Sequence, residues 1–186
     1  MSPTTQVYTR VRIPRDYHGE PMLYSLITRY QVTVNIAAAL LSPQTQDDAW
    51  LDLELIGDPD QLNACVAHLQ SLNWEILALG PHKPLDEPPP ELTPPPVTGE
   101  PQRQTRVRVR IPKNACEEPI ISGLVSRYGL LVNIKGALLS PGHQEDGWFD
   151  LELQGAASQL QAGLAYLKEK GLDVWAEPQG GEDWSV

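Results

Sequence analysis

Six carboxylates are the residues best placed to do chemistry, because they come as two matched sets: Asp48, Asp52 and Glu54, then Asp146, Asp150 and Glu152. Grouped carboxylates serve acid–base catalysis or hold a divalent cation. Each set is accompanied by two arginines in alternating register, Arg10 and Arg12 or Arg108 and Arg110. If the strands that carry them are neighbours, Arg10 and Arg12 lie across from Asp52 and Glu54, and Arg108 and Arg110 across from Asp150 and Glu152. Such cross-strand pairs contribute a few tenths to about 1 kcal/mol and need no catalytic purpose. The four histidines extend neither set: His18, His68 and His143 fall opposite Cys116, Tyr166 and Thr45, His82 lies apart, and none has metal-ligand spacing. Cys65 and Cys116 are not equivalent and have no CxxC partner, so they read as reduced thiols. No nucleophile elbow, glycine-rich phosphate loop or HExxH helix occurs. No catalytic residue, metal or cofactor is therefore assigned, and the chain is not expected to be an enzyme.

What remains is an amide. Asn35 and Asn133 each sit in the middle of an otherwise apolar run with strand character, where asparagine is disfavoured. Two readings stay open: the amide meets an edge-strand or cross-module backbone group, or it orients a ligand beside small and apolar residues.

The two asparagines belong to a duplication. The stretch Val34-Asn35-Ile36-Ala37-Ala38-Ala39-Leu40-Leu41-Ser42-Pro43 returns about a hundred residues later as Val132-Asn133-Ile134-Lys135-Gly136-Ala137-Leu138-Leu139-Ser140-Pro141. The register runs without a gap from Arg10 against Arg108 to Leu69 against Leu167, with roughly 30 of ~70 paired positions identical. Two copies are too few for a solenoid, so the 186 residues read as a duplicated globular module. A module of ~75 residues buries little core, which favours pairing.

Each copy carries the same elements. Thr9-Arg10-Val11-Arg12-Ile13 alternates as a half-buried strand stopped by Pro14. Pro21 opens a short amphipathic helix with Met22, Leu23, Leu26, Ile27 and Tyr30 on one stripe. Val32, Val34 and Ile36 then face that helix while Thr33 and Asn35 face away. Simple alternation carried to the end of this run puts Leu41 and Leu139 on the outward face. In Trp50-Leu51-Asp52-Leu53-Glu54-Leu55 the leucines point inward and Trp50, Asp52 and Glu54 outward. Asp58-Pro59 caps a second helix, and residues 74–78 make a last strand. In the second copy Ala156 replaces the capping aspartate, and Ser158 is the expected substitute.

Strand, helix, strand, strand, helix, strand is the split βαβ order, so the fold class is α+β: two ferredoxin-like (βαββαβ) modules joined by a proline-rich linker. The boundaries read 1–80, 81–104 for the linker, 105–178, and 179–186 for a C-terminal tail. The linker favours polyproline II and works as a spacer or as a ligand for an aromatic groove. Tethering raises the effective concentration of the partners to about millimolar, so the modules are expected to pair within one chain, a homodimer being the alternative. Both helices of such a module cover one sheet face. The two modules are therefore expected to shield each other's bare face, with the outward Trp50, Trp148, Leu41 and Leu139 at or near the contact. In the tail, Trp184 docks on a partner or back on the sheet.

Charge narrows the partners. A net charge of −10 and the outward Asp150 and Glu152 beside Trp148 oppose phosphate tracking and RNA stacking, so no nucleic acid is expected. No apolar run approaches a membrane span and no secretory h-region opens the sequence, so no membrane insertion and a cytoplasmic location are expected.

The Asn35-Ile36 and Asn133-Ile134 segments, preceded by an Arg-Tyr helix end and followed by a Trp-x-Asp-Leu-Glu-Leu strand, resemble the NIL domain. That family is best known as the C-terminal regulatory domain of the ATPase subunit in methionine ABC importers, and it also occurs in small standalone proteins. The resemblance implies an ACT-like ferredoxin fold that pairs with a second copy. In the importers it binds methionine at the pair interface and inhibits transport, with the motif's asparagine, here Asn35 and Asn133, among the ligand contacts. This sequence lacks an accompanying ATPase segment, and residues 42–48 replace the family's glycine-rich hairpin. Two functions follow: a regulatory adaptor that binds another, unidentified protein through the open sheet face, the linker or Trp184, or a sensor of an amino acid such as methionine at the module interface. The absence of an output domain favours the adaptor.

Overall fold

Alternating side chains build the sheet and periodic ones the helices that cover it. The structure is a computed structural model that describes residues 4–17, 21–42, 48–72, 74–78, 83–84, 99–113, 119–140 and 145–176. The first half runs β1 (Thr5–Ile13), a 3-10 turn (Arg15–Tyr17), α1 (Met22–Tyr30), β2 (Thr33–Leu41), β3 (Ala49–Gly57), α2 (Pro59–Ser71) and β4 (Glu75–Ala78). A two-residue strand, β5 (Lys83–Pro84), pairs with the start of β1. The second half repeats the order as β6 (Gln102–Ile111), α3 (Ile120–Tyr128), β7 (Leu131–Leu139), β8 (Gly147–Ala156), α4 (Ala157–Glu169) and β9 (Asp173–Ala176). Strand β6 begins at Gln102, three residues before the boundary drawn at 105. Most of that linker, the tail and Trp184 lie outside the described residues. No described helix is long and apolar enough to cross a membrane.

All pairing among the long strands is antiparallel, and the order β4-β1-β3-β2-β7-β8-β6-β9 joins both halves into one continuous sheet. Within each half the order is the split βαβ arrangement. The halves meet edge to edge through β2 and β7, in the pairs Ala39↔Leu139, Leu40↔Leu138 and Leu41↔Ala137. These are equivalent positions of the repeat taken reciprocally, so a pseudo-two-fold axis passes through the Leu40–Leu138 pair, as in an isologous dimer. Helix α1 packs on α3 across the seam, and each also lies over the other half's second strand. The expectation that the modules shield each other's sheet faces is therefore overturned. An unpaired strand edge leaves a row of backbone donors and acceptors to satisfy, and edge pairing does so while the helices bury the seam from one side.

The bulge decides which leucine is buried. Pairing of β2 with β3 shifts between Ile36 and Ala38, and that of β7 with β8 between Ile134 and Gly136. One extra residue flips every later side chain to the other face. Leu41 and Leu139 are consequently only 5% and 3% exposed, facing the helix layer, whereas Leu40 and Leu138 are 55% and 54% exposed on the open face. Simple alternation had put Leu41 and Leu139 outward. They do lie in the seam, turned inward.

Helix ends follow local chemistry. Asp58 accepts from the Asp60 N–H at 3.0 Å and caps α2. At α4 the missing cap is supplied from outside the helix: Glu100 accepts from the Ser158 N–H (3.2 Å) and hydroxyl (2.9 Å), placing a carboxylate at the positive end of the helix. Ser158 is thus the capped residue rather than the cap. Helix α3 ends on Gly129 at φ 64°, whereas its counterpart after α1 is Gln31 at φ 55°, a left-handed position without glycine.

Candidate functional site

Because β2 and β7 pair over only three residues, the rest of each edge faces a groove rather than a strand. In the first groove Val132, Asn133 and Ile134 of β7 meet Ile13, Tyr17, Pro21, Met22, Leu23, Leu41 and Leu51 of the first module. In the second, Val34, Asn35 and Ile36 of β2 meet Ile111, Ile120, Ile121, Leu139 and Phe149 of the second module. The two are twins under the pseudo-two-fold axis. Their empty volumes are about 390 and 290 Å³, part of it open to solvent. Beside the first groove, Tyr17 meets the buried Trp74 edge-on at 5.4 Å, and the Trp74 Nε1–H finds no acceptor among the described residues.

The candidate asparagines thus line different grooves. The Asn35 amide nitrogen also donates to Glu54 at 3.1 Å, and Tyr8 donates to the other Glu54 oxygen at 3.3 Å. The partner of Asn35 is a neighbouring carboxylate, not the backbone group considered from the sequence. Asn133 is buried and bonded.

The matched carboxylates are absorbed by cross-strand pairing. Arg10 grips Asp52 with two bonds of 2.6 and 2.9 Å, and Arg108 holds Asp150 at 2.8 and 3.3 Å. The second arginines differ from expectation. Arg12 and Arg110 lie opposite Trp50 and Trp148 and bond Asp48 with Glu75, and Asp146 with Asp173. Glu54 and Glu152 instead sit opposite Tyr8 and Arg106, one register step along. Hydrogen bonding by Arg110, and then by the Lys113 N–H, holds the Asp146 carboxyl below its usual range. Burial pushes the Cys65 thiol up to about 12, which removes its nucleophilic form at neutral pH. Among the described residues no group of three histidines, cysteines or carboxylates could hold a metal.

On the open face the two-fold axis produces a palindrome across all eight long strands: Glu75, Arg12, Trp50, Leu40, Leu138, Trp148, Arg110, Asp173. Four apolar residues sit in the middle with charges at both ends. Arg12 stacks over Trp50 at 5.6 Å, and Trp148 stacks on Trp175 at 5.7 Å. The small Ala38 beside Leu40 leaves a depression of about 650 Å³ bordered by Arg10, Trp50 and Asp52. Of the interface residues expected from the sequence, Trp50 and Trp148 belong to this row and Leu41 and Leu139 to the buried side of the seam. Leu40 and Leu138 were missed, although their pairing with a second leucine in both copies was a visible sign that parity was ambiguous. Ser122 was missed too, its only signal being a hydroxyl inside the apolar stretch of α3.

Comparison with known proteins agrees with the duplication. The family model described as the NIL domain matches residues 7–76 and 105–176. An uncharacterized protein of Synechococcus elongatus is 32% identical over 74 residues, covering 40% of this chain and 91% of that protein. An uncharacterized protein of Synechocystis sp. is 36% identical over 74 residues, covering 40% and 75% respectively. Among solved structures, the C-terminal domain of an ABC transporter ATP-binding protein from Enterococcus faecalis aligns with a TM-score of 0.35 and 21% identity, over 40% of this chain and 83% of that one.

Proposed function

The chain belongs to the NIL domain family through both of its halves, and on that premise we propose that it is a non-enzymatic regulatory protein that senses a small amphipathic molecule, an amino acid by class, between its modules. The observation that carries this reading is the pair of grooves, each with a strand edge and an asparagine on one wall and apolar side chains of the other module opposite. Peptide hydrogen-bonding groups beside a hydrophobic slot suit a ligand with a polar head and an apolar tail. Methionine, the molecule implied by the resemblance to importer domains, has that form. In their present closed form the grooves hold little more than a water or two. Binding therefore has to displace side chains such as Met22 and shift α1 against the seam. The test is thermal unfolding of the full chain with each L-amino acid at millimolar concentration. A ligand at about 100 times its dissociation constant adds ~2.7 kcal/mol of stability. A melting temperature unmoved by the whole panel refutes the reading.

A second reading, the adaptor, is favoured by a specific observation: Leu40, Leu138 and Trp148 remain exposed on the open face although the modules have already paired. A contiguous apolar row rimmed by charge suits a protein partner. Because the row crosses the seam at Leu40 and Leu138, a ligand that parts β2 from β7 would move the two leucines against each other and alter the docking face. Leu138→Asp should abolish capture of a partner that the unaltered chain retains. A partner held equally by both sinks the adaptor reading.

A further inference from the structure

The twin grooves are not chemically equivalent, and their difference specifies both the number and the class of ligands. Beside the second groove Ser122 of α3, 1% exposed, holds the backbone of its lining residue Val34: it accepts from the Val34 N–H at 2.7 Å and donates to the Val34 carbonyl at 3.0 Å. One hydroxyl thus fills the place of a missing neighbour strand. The counterpart of Ser122 on α1 is Tyr24, and the counterpart of Val34 is Val132. Val132 pairs with Leu153 as Val34 pairs with Leu55, so its N–H and carbonyl point away from β8 and into the first groove. Among the described residues no side chain bonds them.

Packing differs in the same direction. The first groove is walled by Met22, Leu23 and Leu51 where the second has Ile120, Ile121 and Phe149. Unbranched methionine repacks easily, whereas β-branched isoleucine is stiff.

We infer that only the first groove is a ligand site, that one molecule binds per chain, and that this molecule is a free α-amino acid with an apolar, unbranched or γ-branched side chain. Its ammonium donates to the Val132 carbonyl and its carboxylate accepts from the Val132 N–H, as a residue of a paired strand would. Its side chain enters between Met22 and Leu51. The second groove is closed by the chain's own serine, which stands in for the head group there. This rests on the reading of the grooves as sensory sites.

Isothermal titration of the full chain with L-methionine, L-leucine and L-isoleucine tests it together with amide hydrogen exchange. Without ligand, the Val34 amide exchanges slowly and the Val132 amide quickly. L-Methionine or L-leucine binds at one molecule per chain and slows Val132 while leaving Val34 unchanged, and L-isoleucine binds more weakly. Tyr24→Ser, which installs the internal hydroxyl, weakens binding at least about tenfold, the scale of lost charged hydrogen bonds, whereas Ser122→Ala leaves the first site intact. Should Tyr24→Ser fail to fold, the exchange contrast and the stoichiometry in the unaltered chain still decide. Two molecules per chain, or protection of Val34 rather than Val132, overturns the inference but keeps the sensor. No binding of any amino acid overturns the sensor itself.

Discussion

Truncating Leu41 and Leu40 separately gives a sharp test of the bulge on which the seam depends. With the register shift in place, Leu41 is buried beneath α1 and Leu40 is more than half exposed. Leu41→Ala should then cost the transfer of a full side chain plus a residual cavity, about 3 kcal/mol. Leu40→Ala removes a side chain that has lost less than half its contact with water, so about 1 kcal/mol or less is expected. At a urea dependence of ~2 kcal/mol/M these costs shift the unfolding midpoint by roughly 1.5 M and 0.5 M or less. Equilibrium urea unfolding followed by circular dichroism reads both. The same order must hold for Leu139→Ala against Leu138→Ala, since the second copy carries the same shift. If the Leu40 or Leu138 variant is the more damaged of its pair, β2 and β7 run straight and the assignment of faces fails.

Gln31→Gly should stabilise the chain by about 1 kcal/mol, because a left-handed helix end penalises a side chain and Gly129 already occupies the equivalent place; an unchanged or lower urea midpoint contradicts this. Cys65, whose buried thiol is raised to about 12, should resist iodoacetamide at pH 8 until denaturant is added, as read by peptide mass mapping. Its native value lies above the unfolded one, so its contribution to stability is whole below pH 9.0 and declines as pH rises toward about 12. Asp146 has the opposite sign: its native value lies below the ordinary 3.8, so its contribution is present above that pH and is lost as pH falls further. Acid unfolding of Asp146→Asn should accordingly be less steep than that of the unaltered chain, and identical curves would refute the pairing.

The fold of each module was legible because alternation and helical stripes agree in both copies, from Val11 and Ile13 through Leu51, Leu53 and Leu55. The bulges were not, since Ala37 and Lys135 sit comfortably in an extended strand and Ala38-Ala39-Leu40-Leu41 offers no polar residue to fix parity. The mode of pairing was hidden for a related reason. Sequence reveals an exposed face by its outward residues, but an open edge only by the lack of devices that block it, and the Asn35 half of β2 carries neither proline nor lysine. Asn35 and Asn133 stand out in the sequence as amides within strands, yet the walls opposite them come from the other module, so no local pattern could have supplied Met22 or Ile120. The Glu100 cap was masked because it borders a proline-rich stretch that reads as a spacer.

Covalent joining of the two halves has a consequence that a dimer of single modules would lack. In such a dimer every substitution appears twice, so a serine placed to plug one cleft plugs both. Here Tyr24 and Ser122 are encoded separately, and each side of the axis is open to independent mutation. The assembly also forms without reference to how much protein the cell makes, because both halves of the seam arrive on one chain.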